Sequence, residues 1–152
     1  MDSIISAFVA GFLGVVSALL GAWFVGWREK KRKERFSASL LHNELKSIER
    51  YLIYDEKSLA NIRYSDNWQN IIADCSFLND NDISFLYLIY DEIYYYNYLF
   101  RLKEEGKGVE HERGELFKKL RERIFNISIN ERYYKLTKRL EKHTKNISVY
   151  KN

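Results

Sequence analysis

The sequence predicts an all-α protein with one transmembrane helix followed by a helical domain of about four helices. Proline is absent from the 152 residues, only seven residues are glycine, and 30% are charged. This composition is typical of long helices rather than of sandwiches or barrels. A chain of this length allows one compact domain, or a membrane segment plus a smaller domain. The single cysteine, Cys75, cannot form a disulfide within the chain, as expected of a protein in a reducing cytoplasm.

The first element is a run of 24 uncharged residues from Ile4 to Trp27. A helix needs only ~20 residues to cross the hydrocarbon core of a bilayer. A cleaved signal peptide carries its positive charge before a shorter apolar run, whereas here Asp2 precedes the run and the basic residues follow it. We therefore assign residues 1–27 to a transmembrane helix.

A basic juxtamembrane collar follows, because six of the eight residues from Arg28 to Arg35 are lysine or arginine. Basic residues concentrate on the cytoplasmic side of membrane helices. Residues 28–35 thus predict a single-pass membrane protein with its C-terminal domain in the cytoplasm. Trp23 and Trp27 would lie at the inner interface, where indole rings favour the headgroup region, and membrane lipids are a predicted partner.

Small residues form a stripe along the predicted membrane helix. Positions 7, 10, 14, 17 and 21 alternate spacings of three and four, and positions 11 and 18 widen the stripe. The stripe consists of Ala7, Ala10, Gly11, Gly14, Ser17, Ala18 and Gly21. A period of ~3.5 is that of a left-handed coiled-coil seam, and small residues let helices approach closely in lipid. Against a chance abundance of Gly and Ala, we favour a parallel, cyclic homo-oligomer, with a tetramer preferred. Such a bundle would be either a closed plug or a narrow pore lined by Ser6 and Ser17.

The cytoplasmic domain, residues 36–145, is predicted to consist of helices. Leucine and isoleucine at near-heptad spacing extend the first helix to about Arg63. Turn residues follow, and Asp66 is expected to cap a short second helix. The apolar residues of this short helix are Trp68, Ile71, Ile72 and Cys75.

Three further helices are predicted before a short tail. Asn79-Asp80 is expected to cap a helix over residues 81–105, which ends at the break formed by Gly106, Lys107 and Gly108. The remaining predicted segments are a helix over residues 110–125, a linker over 126–129, a helix over 130–145 and a tail over 146–152.

Tyrosine is concentrated between residues 87 and 98, where six occur: Tyr87, Tyr90, Tyr94, Tyr95, Tyr96 and Tyr98. Tyrosine has a large apolar ring with one polar tip, which suits a packed but partly wet surface such as a subunit interface. A stacking platform for nucleic-acid bases is the alternative. We favour the interface, because acidic residues such as Asp91 and Glu92 would repel phosphate.

Charge is divided between two parts of the cytoplasmic domain. Residues 36–109 carry seven Lys/Arg and twelve Asp/Glu, whereas residues 110–145 carry eleven and six. Two interpretations are that these parts attract each other and that the basic run is a solvated face. Basic residues beside aromatic rings also supply phosphate contacts and base stacking, with anionic lipid headgroups as the competing partner. The predicted anion-binding residues are Lys118, Lys119, Arg121, Arg123, Arg132, Tyr133, Tyr134, Lys135, Lys138 and Arg139.

Signatures of an enzyme are missing from the sequence. The Gly106-Lys107-Gly108 segment lacks the spacing and the trailing Ser/Thr of a phosphate-binding loop. His42, His111 and His143 have no partner at the spacing of metal ligands. We therefore predict a protein that is not an enzyme, with no catalytic residues, no metal site and no cofactor.

This layout of an uncharged helix with a small-residue stripe, a basic collar and a helical domain without catalytic residues resembles the small membrane effectors of bacterial anti-phage defence. It is similar to the Hailong transmembrane effector and to the membrane effectors of CRISPR systems that respond to cyclic oligoadenylates. The resemblance implies a homo-oligomer that opens or disrupts the membrane when a nucleotide or oligonucleotide binds the cytoplasmic domain. It also implies a signal-producing enzyme encoded at the same locus.

Two other functions remain open from the sequence. A passive membrane scaffold or adaptor would use its tyrosine-rich surface to dock a protein partner, and its membrane helix would only tether it. A holin-like lysis protein is the third possibility, although a helical domain of this size exceeds what a simple membrane lesion needs.

Overall fold

The computed structural model describes residues 2–54 and 61–144, with the side chains of residues 11–53, 61–126 and 131–144. The described residues are helical or irregular and contain no strand, which confirms the all-α prediction. The helices are α1 (Asp2–Tyr54), α2 (Trp68–Ala73), α3 (Asp80–Glu104), α4 (Glu110–Phe125) and α5 (Ile127–Thr144). The chain divides into two compact units, Met1–Glu34 and Arg35–Asn152.

The N-terminal unit consists of the first part of α1, whose surface is apolar and uncovered. From residue 11 to residue 30, all residues except the half-buried Val16 are exposed. By length and composition this helix is able to cross a membrane. An exposed apolar surface of this extent indicates contact with lipid or with another protein chain. The large exposed side chains are Phe12, Leu13, Val15, Leu19, Leu20, Trp23, Phe24, Val25 and Trp27.

The second part of α1 forms the centre of the helical domain. Its buried face follows the predicted near-heptad spacing, and each of its residues is fully buried: Ala38, Leu41, Leu45, Ile48 and Leu52. Complete burial of a leucine or isoleucine side chain contributes about 1.5–3 kcal/mol relative to exposure. This face of α1 is therefore a main source of stability for the core that the other helices complete.

Helix α1 ends before the predicted boundary at Arg63, because residues 61–65 are not helical. The side chain of Asn97 in α3 holds the backbone of Ile62 instead. Asn97 Oδ1 accepts a hydrogen bond from the Ile62 N–H at 2.9 Å, and Asn97 Nδ2 donates to the Ile62 carbonyl at 2.8 Å. The amide and carbonyl of this residue are thus satisfied without a helix. Residues 55–60 lie outside the described part of the chain.

The predicted cap of the short helix is wrong by one residue. Helix α2 begins at Trp68 with Asn67, not Asp66, at the N-cap position, and the Asn67 side chain makes no capping hydrogen bond. The Trp68 N–H donates to the Ser65 carbonyl at 3.2 Å, so a backbone turn replaces a side-chain cap. The four apolar residues predicted for this segment are all buried, although Cys75 lies beyond the end of α2.

Helix α3 begins with the predicted cap. Asn79 accepts a hydrogen bond from the Asp82 N–H at 2.8 Å, and the Asp82 carboxylate accepts one from the Asn79 N–H at 3.3 Å, which forms a reciprocal capping box. The helix is followed by Gly106 with a φ of 78°, a left-handed conformation that favours glycine.

Helix α4 has the predicted bounds, whereas α5 begins at Ile127 rather than near residue 130. The predicted linker over residues 126–129 is reduced to Asn126. This residue has an extended backbone, with φ −70° and ψ 122°, and one extended residue is enough to change the chain direction between two helices. The predicted tail over residues 146–152 lies outside the described residues.

Helix α4 contacts both α3 and α5, and the apolar faces of the three helices join the core formed on α1. The central buried residues of α4 and α5 are Leu116, Phe117, Leu120, Ile124, Tyr133, Leu136 and Leu140. Because these faces are buried, the charged residues beside them lie close to the charged residues of α3.

Candidate functional site

Two of the predicted anion-binding residues of α4 form ion pairs with a buried carboxylate of α3. Arg123 donates from Nε at 2.9 Å and from Nη2 at 2.7 Å to the two carboxylate oxygens of Glu92. The Nζ atom of Lys119 lies 3.1 Å from Glu92 Oε1. The Glu92 side chain is only 8% exposed, and a buried carboxylate needs such partners. Arg123 and Lys119 thus neutralise an acidic residue of the same domain.

Two arginines of α5 also contact α3. Arg139 forms an ion pair with the buried carboxylate of Asp82, the residue that completes the capping box. Arg132 donates from Nη2 to Asn81 Oδ1 at 3.3 Å, and its guanidinium lies 5.7 Å from the ring centre of Phe85. These contacts connect α5 to the start of α3, so both arginines have a structural role.

Tyr133 lies in the core, where it is 3% exposed. Its phenol donates a hydrogen bond to the Leu45 carbonyl at 3.4 Å, and its ring meets that of Phe85 edge to face with 6.5 Å between the centres. Burial raises the pKa of the Tyr133 phenol above its ordinary value. The structure therefore removes Tyr133 from any surface on which a base could stack.

The other five predicted residues are exposed: Lys118, Arg121, Tyr134, Lys135 and Lys138. We call them the α4–α5 basic surface. Lys118 and Lys135 each pair with a glutamate of their own helix, at 3.0 and 2.6 Å, and Lys138 Nζ lies 4.6 Å from the ring centre of Tyr134. Exposed ion pairs of this kind contribute only about 0.3–0.5 kcal/mol. An anionic ligand can therefore compete for these cations at little cost.

The small-residue stripe is open in the described part of α1. A Cβ atom added at Gly11, Gly14 or Gly21 would meet no atom of the chain within 4 Å. Close approach of a second helix is therefore sterically possible along this stripe. Its other described members, both exposed, are Ser17 and Ala18. The two remaining predicted members, whose side chains lie outside the described residues, are Ala7 and Ala10.

The tyrosines of α3 divide into buried and exposed groups. Tyr90 and Tyr96 are buried. The Tyr90 phenol donates to Glu44 Oε2 at 2.7 Å, and its ring stacks on Trp68 with 4.7 Å between centres and 6° between planes. Burial, followed by the nearby Glu44 carboxylate, raises the pKa of Tyr90. These two tyrosines belong to the core.

The exposed group forms what we call the tyrosine surface, consisting of Tyr87, Leu88, Tyr94, Tyr95 and Tyr98, each 40–59% exposed. Positions 87, 94 and 98 share one face of a helix with a period of 3.6 residues. The rings of Tyr95 and Tyr98 stack with 6.2 Å between centres, and the Tyr95 phenol donates to Glu112 of α4. Clustered, exposed tyrosines are typical of protein-binding surfaces.

Arg113 is a buried cation that the sequence analysis did not select. It occupies the apolar register of α4, three and four residues before Leu116 and Phe117, and it is 9% exposed. Its guanidinium lies 5.6 Å from the ring centre of Tyr96 and 5.5 Å from that of Phe100. Its Nη1 atom is buried without a hydrogen-bond partner. The signal in the sequence was a charged residue at a position where the helical period predicts an apolar one.

Within the described ranges, no three His, Cys, Asp or Glu side chains come together in a way that could hold a metal ion. The features with a bearing on function are thus the α4–α5 basic surface, the small-residue stripe, the tyrosine surface and Arg113. No protein-family model, curated protein or solved structure matches this chain.

Proposed function

We propose that the protein is a homo-oligomeric, single-pass effector of the bacterial inner membrane that acts in anti-phage defence. Its cytoplasmic domain binds a soluble nucleotide or oligonucleotide, and binding opens a channel or disrupts the membrane. The observation that best supports this proposal is the continuity of α1. This one helix, Asp2–Tyr54, carries both the small-residue stripe and five fully buried core residues.

A shared helix provides a physical route for gating. In this proposal, ligand binding in the helical domain acts on the membrane through α1, because this helix contains residues of both compact units. To switch an assembly almost completely, ligand has to favour one conformation by about 5.5 kcal/mol. Four identical sites would divide this into about 1.4 kcal/mol each, which is a tenfold difference in affinity per site.

The ligand in this proposal is an anion, because the exposed part of the predicted site is cationic. The α4–α5 basic surface combines four cations with the exposed ring of Tyr134. Cations bind phosphates, and the ring is able to stack on a base. Of the other predicted cations, Lys119 and Arg123 pair with Glu92 and Arg139 pairs with Asp82. Arg132 donates to Asn81. The proposal is therefore limited to the smaller set.

The first test is the mass of the full-length protein in detergent, measured by light scattering with the detergent contribution subtracted. A protein mass of four times the 18.3 kDa chain, or another discrete multiple, supports a closed ring. The second test is release of a fluorescent dye from liposomes that contain the protein, after addition of linear or cyclic oligoadenylates. A gated effector retains the dye until the oligoadenylate is added.

Matched variants assign the response to the basic surface. Combined Arg121→Glu and Lys138→Glu substitutions should raise the oligoadenylate concentration for half-maximal release at least about tenfold, because two phosphate contacts become repulsive. The control combines Arg50→Glu with Arg63→Glu, an equal charge change at exposed positions outside α4 and α5. A monomer, or release without any ligand, contradicts the proposed function. Equal responses in the two double variants contradict the assignment to the α4–α5 basic surface.

A second candidate is a membrane-tethered adaptor, which the tyrosine surface favours. Five exposed apolar or aromatic residues on one helix are enough to form the centre of a protein-binding patch. Overexpression distinguishes the candidates. An adaptor is harmless with or without the signal, a gated effector becomes toxic only with the signal, and a holin-like protein kills alone.

A further inference from the structure

The guanidinium of Arg113 differs from those of Arg123 and Arg139, two half-buried arginines of α4 and α5, in how its charge is balanced. Arg123 and Arg139 each have a carboxylate from α3 within ion-pair distance. Arg113 is more buried than either, yet its polar neighbours within the described chain leave Nη1 without a hydrogen bond. The Arg113 guanidinium is therefore a cation that the described domain encloses but does not neutralise.

Two aromatic faces compensate only in part for this burial. The rings of Tyr96 and Phe100 lie within the ~6 Å at which a cation and an aromatic face attract each other. Such contacts stabilise the positive charge, but they do not replace the hydrogen bonds that the guanidinium N–H groups make in water. An arginine in this environment favours any conformation in which an anionic oxygen reaches it.

The surroundings of Arg113 join three helices. Tyr51 of α1, Tyr96 of α3 and Phe117 of α4 have ring centres 6.1–6.4 Å apart. The phenol oxygens of Tyr51 and Tyr96 are 3.2 Å apart. With Arg113 and Phe100 we call these residues the Arg113 cluster. Tyr51 lies in the last turn of α1, which ends at Tyr54, so a rearrangement of the cluster alters contacts of α1.

We propose that Arg113 binds an anionic oxygen of a small phosphate compound, and that binding requires the Arg113 cluster to open. Because Nη1 is buried in this conformation, the anion binds an opened conformation better than the present one, and a difference in affinity is what allows a ligand to shift a conformational equilibrium. This inference rests on the proposed function for the consequence of opening, since it gives the anionic signal an anchor beside α1. The binding of the anion itself does not depend on that function.

The test compares full-length wild-type protein in detergent with Arg113→Met, which has a similar length, no charge and no hydrogen-bond donors. Inorganic pyrophosphate is the probe, and its binding is measured by calorimetry at low ionic strength. We expect wild type to bind pyrophosphate and Arg113→Met to bind at least about tenfold more weakly, the loss of one charge-assisted hydrogen bond. Arg101→Met is the matched control, because Arg101 is an exposed arginine of α3, and it should bind within about twofold of wild type.

Thermal unfolding without pyrophosphate provides a second, independent readout. Replacement of an unneutralised buried charge by an apolar side chain should leave the midpoint of Arg113→Met unchanged or raise it. An arginine that serves only the packing of Tyr96 and Phe100 would give a lower midpoint in the variant and no pyrophosphate binding in wild type. That result overturns the proposal, as does equal pyrophosphate binding by wild type and Arg113→Met.

A carboxylate of the same chain is the other source of an anionic oxygen. Asp55 and Glu56 lie outside the described residues, so the combined Asp55→Asn and Glu56→Gln variant is included. If only this double variant binds pyrophosphate, the anionic oxygen that Arg113 binds in wild type belongs to Asp55 or Glu56, and the proposal is wrong. Dye release separates the site from the proposed function. Pyrophosphate binding at Arg113 without oligoadenylate-triggered release rejects the effector role alone, whereas release that is unchanged in Arg113→Met rejects the site as the anchor of the signal.

Discussion

Asp82 and Glu92, two buried carboxylates of α3, determine which basic residues of α4 and α5 remain at the surface. The net charges of −5 for residues 36–109 and +5 for residues 110–145 predict that the two parts attract each other. The ion pairs Glu92–Arg123 and Asp82–Arg139 join the two parts in the structure. Their partners are 31 and 57 positions apart, so composition predicted the attraction but could not identify which cations it would engage.

Arg113 shows a different limit of sequence-based prediction. Its position relative to Leu116, Phe117 and Leu120 indicates that it faces the core, and this much can be read from the helical period. Whether a carboxylate lies within ion-pair distance of the Arg113 guanidinium depends on side chains of α1 and α3. The sequence therefore identifies an unusual arginine, and only the three-dimensional contacts identify one with an unsatisfied donor.

Helix α4 contributes to one buried and one exposed ion pair, and these are predicted to differ in how much they stabilise the fold. Arg123→Met removes two hydrogen bonds to a carboxylate that is 8% exposed. We expect it to lower the free energy of unfolding by about 2–3 kcal/mol, because Lys119 alone satisfies Glu92 poorly. Lys118→Met removes a pair in which both partners are about 60% exposed, and it should cost less than about 0.5 kcal/mol. Urea unfolding followed by circular dichroism measures both. Equal small losses would mean that Lys119 is a sufficient partner for Glu92.

At the scale of the helix, the start and end of α3 were predicted well, whereas the cap of α2, the end of α1 and the start of α5 were not. The capping box of Asn79 and the positive φ of Gly106 depend on a few adjacent residues, and α3 begins and ends within one residue of the prediction. The non-helical segment that follows α1 includes Ile62, whose backbone N–H and carbonyl are bound by Asn97, a residue of another helix. No pattern near residue 62 carries that information. The early start of α5 follows from the extended backbone of Asn126 alone.

The N-caps of α2 and α3 offer a matched pair of asparagines. Asn79 bonds the Asp82 N–H in a capping box, whereas Asn67 makes no capping bond. We expect Asn79→Ala to lower the free energy of unfolding by about 1 kcal/mol. Asn67→Ala should lower it by at most a few tenths of a kcal/mol. Urea midpoints at constant slope provide the comparison. If the two alanine variants lose the same stability, the reciprocal bonds of Asn79 and Asp82 are not what stabilises the start of α3.

At the scale of the whole molecule, α1 has two apolar surfaces with different surroundings. The face from Ala38 to Leu52 is covered by the chain itself, whereas the apolar residues from Phe12 to Trp27 are exposed. The first surface explains the folding of the helical domain. The second is left uncovered by the described chain. In our proposal, lipid covers its bulky side and a second copy of α1 covers its small-residue side.

Gly14→Leu tests the side proposed to face another copy. A Cβ atom at Gly14 meets nothing within 4 Å in the chain, so leucine is accommodated by an isolated helix and creates a clash only where a second helix approaches. Overpacking of a close contact costs about 1–3 kcal/mol, and a ring repeats that cost at each interface. We therefore expect light scattering in detergent to give the 18.3 kDa mass of one chain for Gly14→Leu.

The matched control is Val16→Leu, which adds bulk on the side of the helix opposite the stripe. The residues three and four positions away from Val16 are Phe12, Leu13, Leu19 and Leu20. The Val16→Leu variant should keep the mass of the wild-type oligomer, because in our proposal this side chain faces lipid and gains no clash with a second helix. The unfolding midpoint of the helical domain should be unchanged in both variants, since its core residues in α1 begin only at Ala38. A wild-type mass retained by Gly14→Leu would contradict the stripe as the oligomer contact. Loss of the oligomer in both variants would indicate an interface that surrounds α1, in which neither glycine nor alanine spacing selects a face.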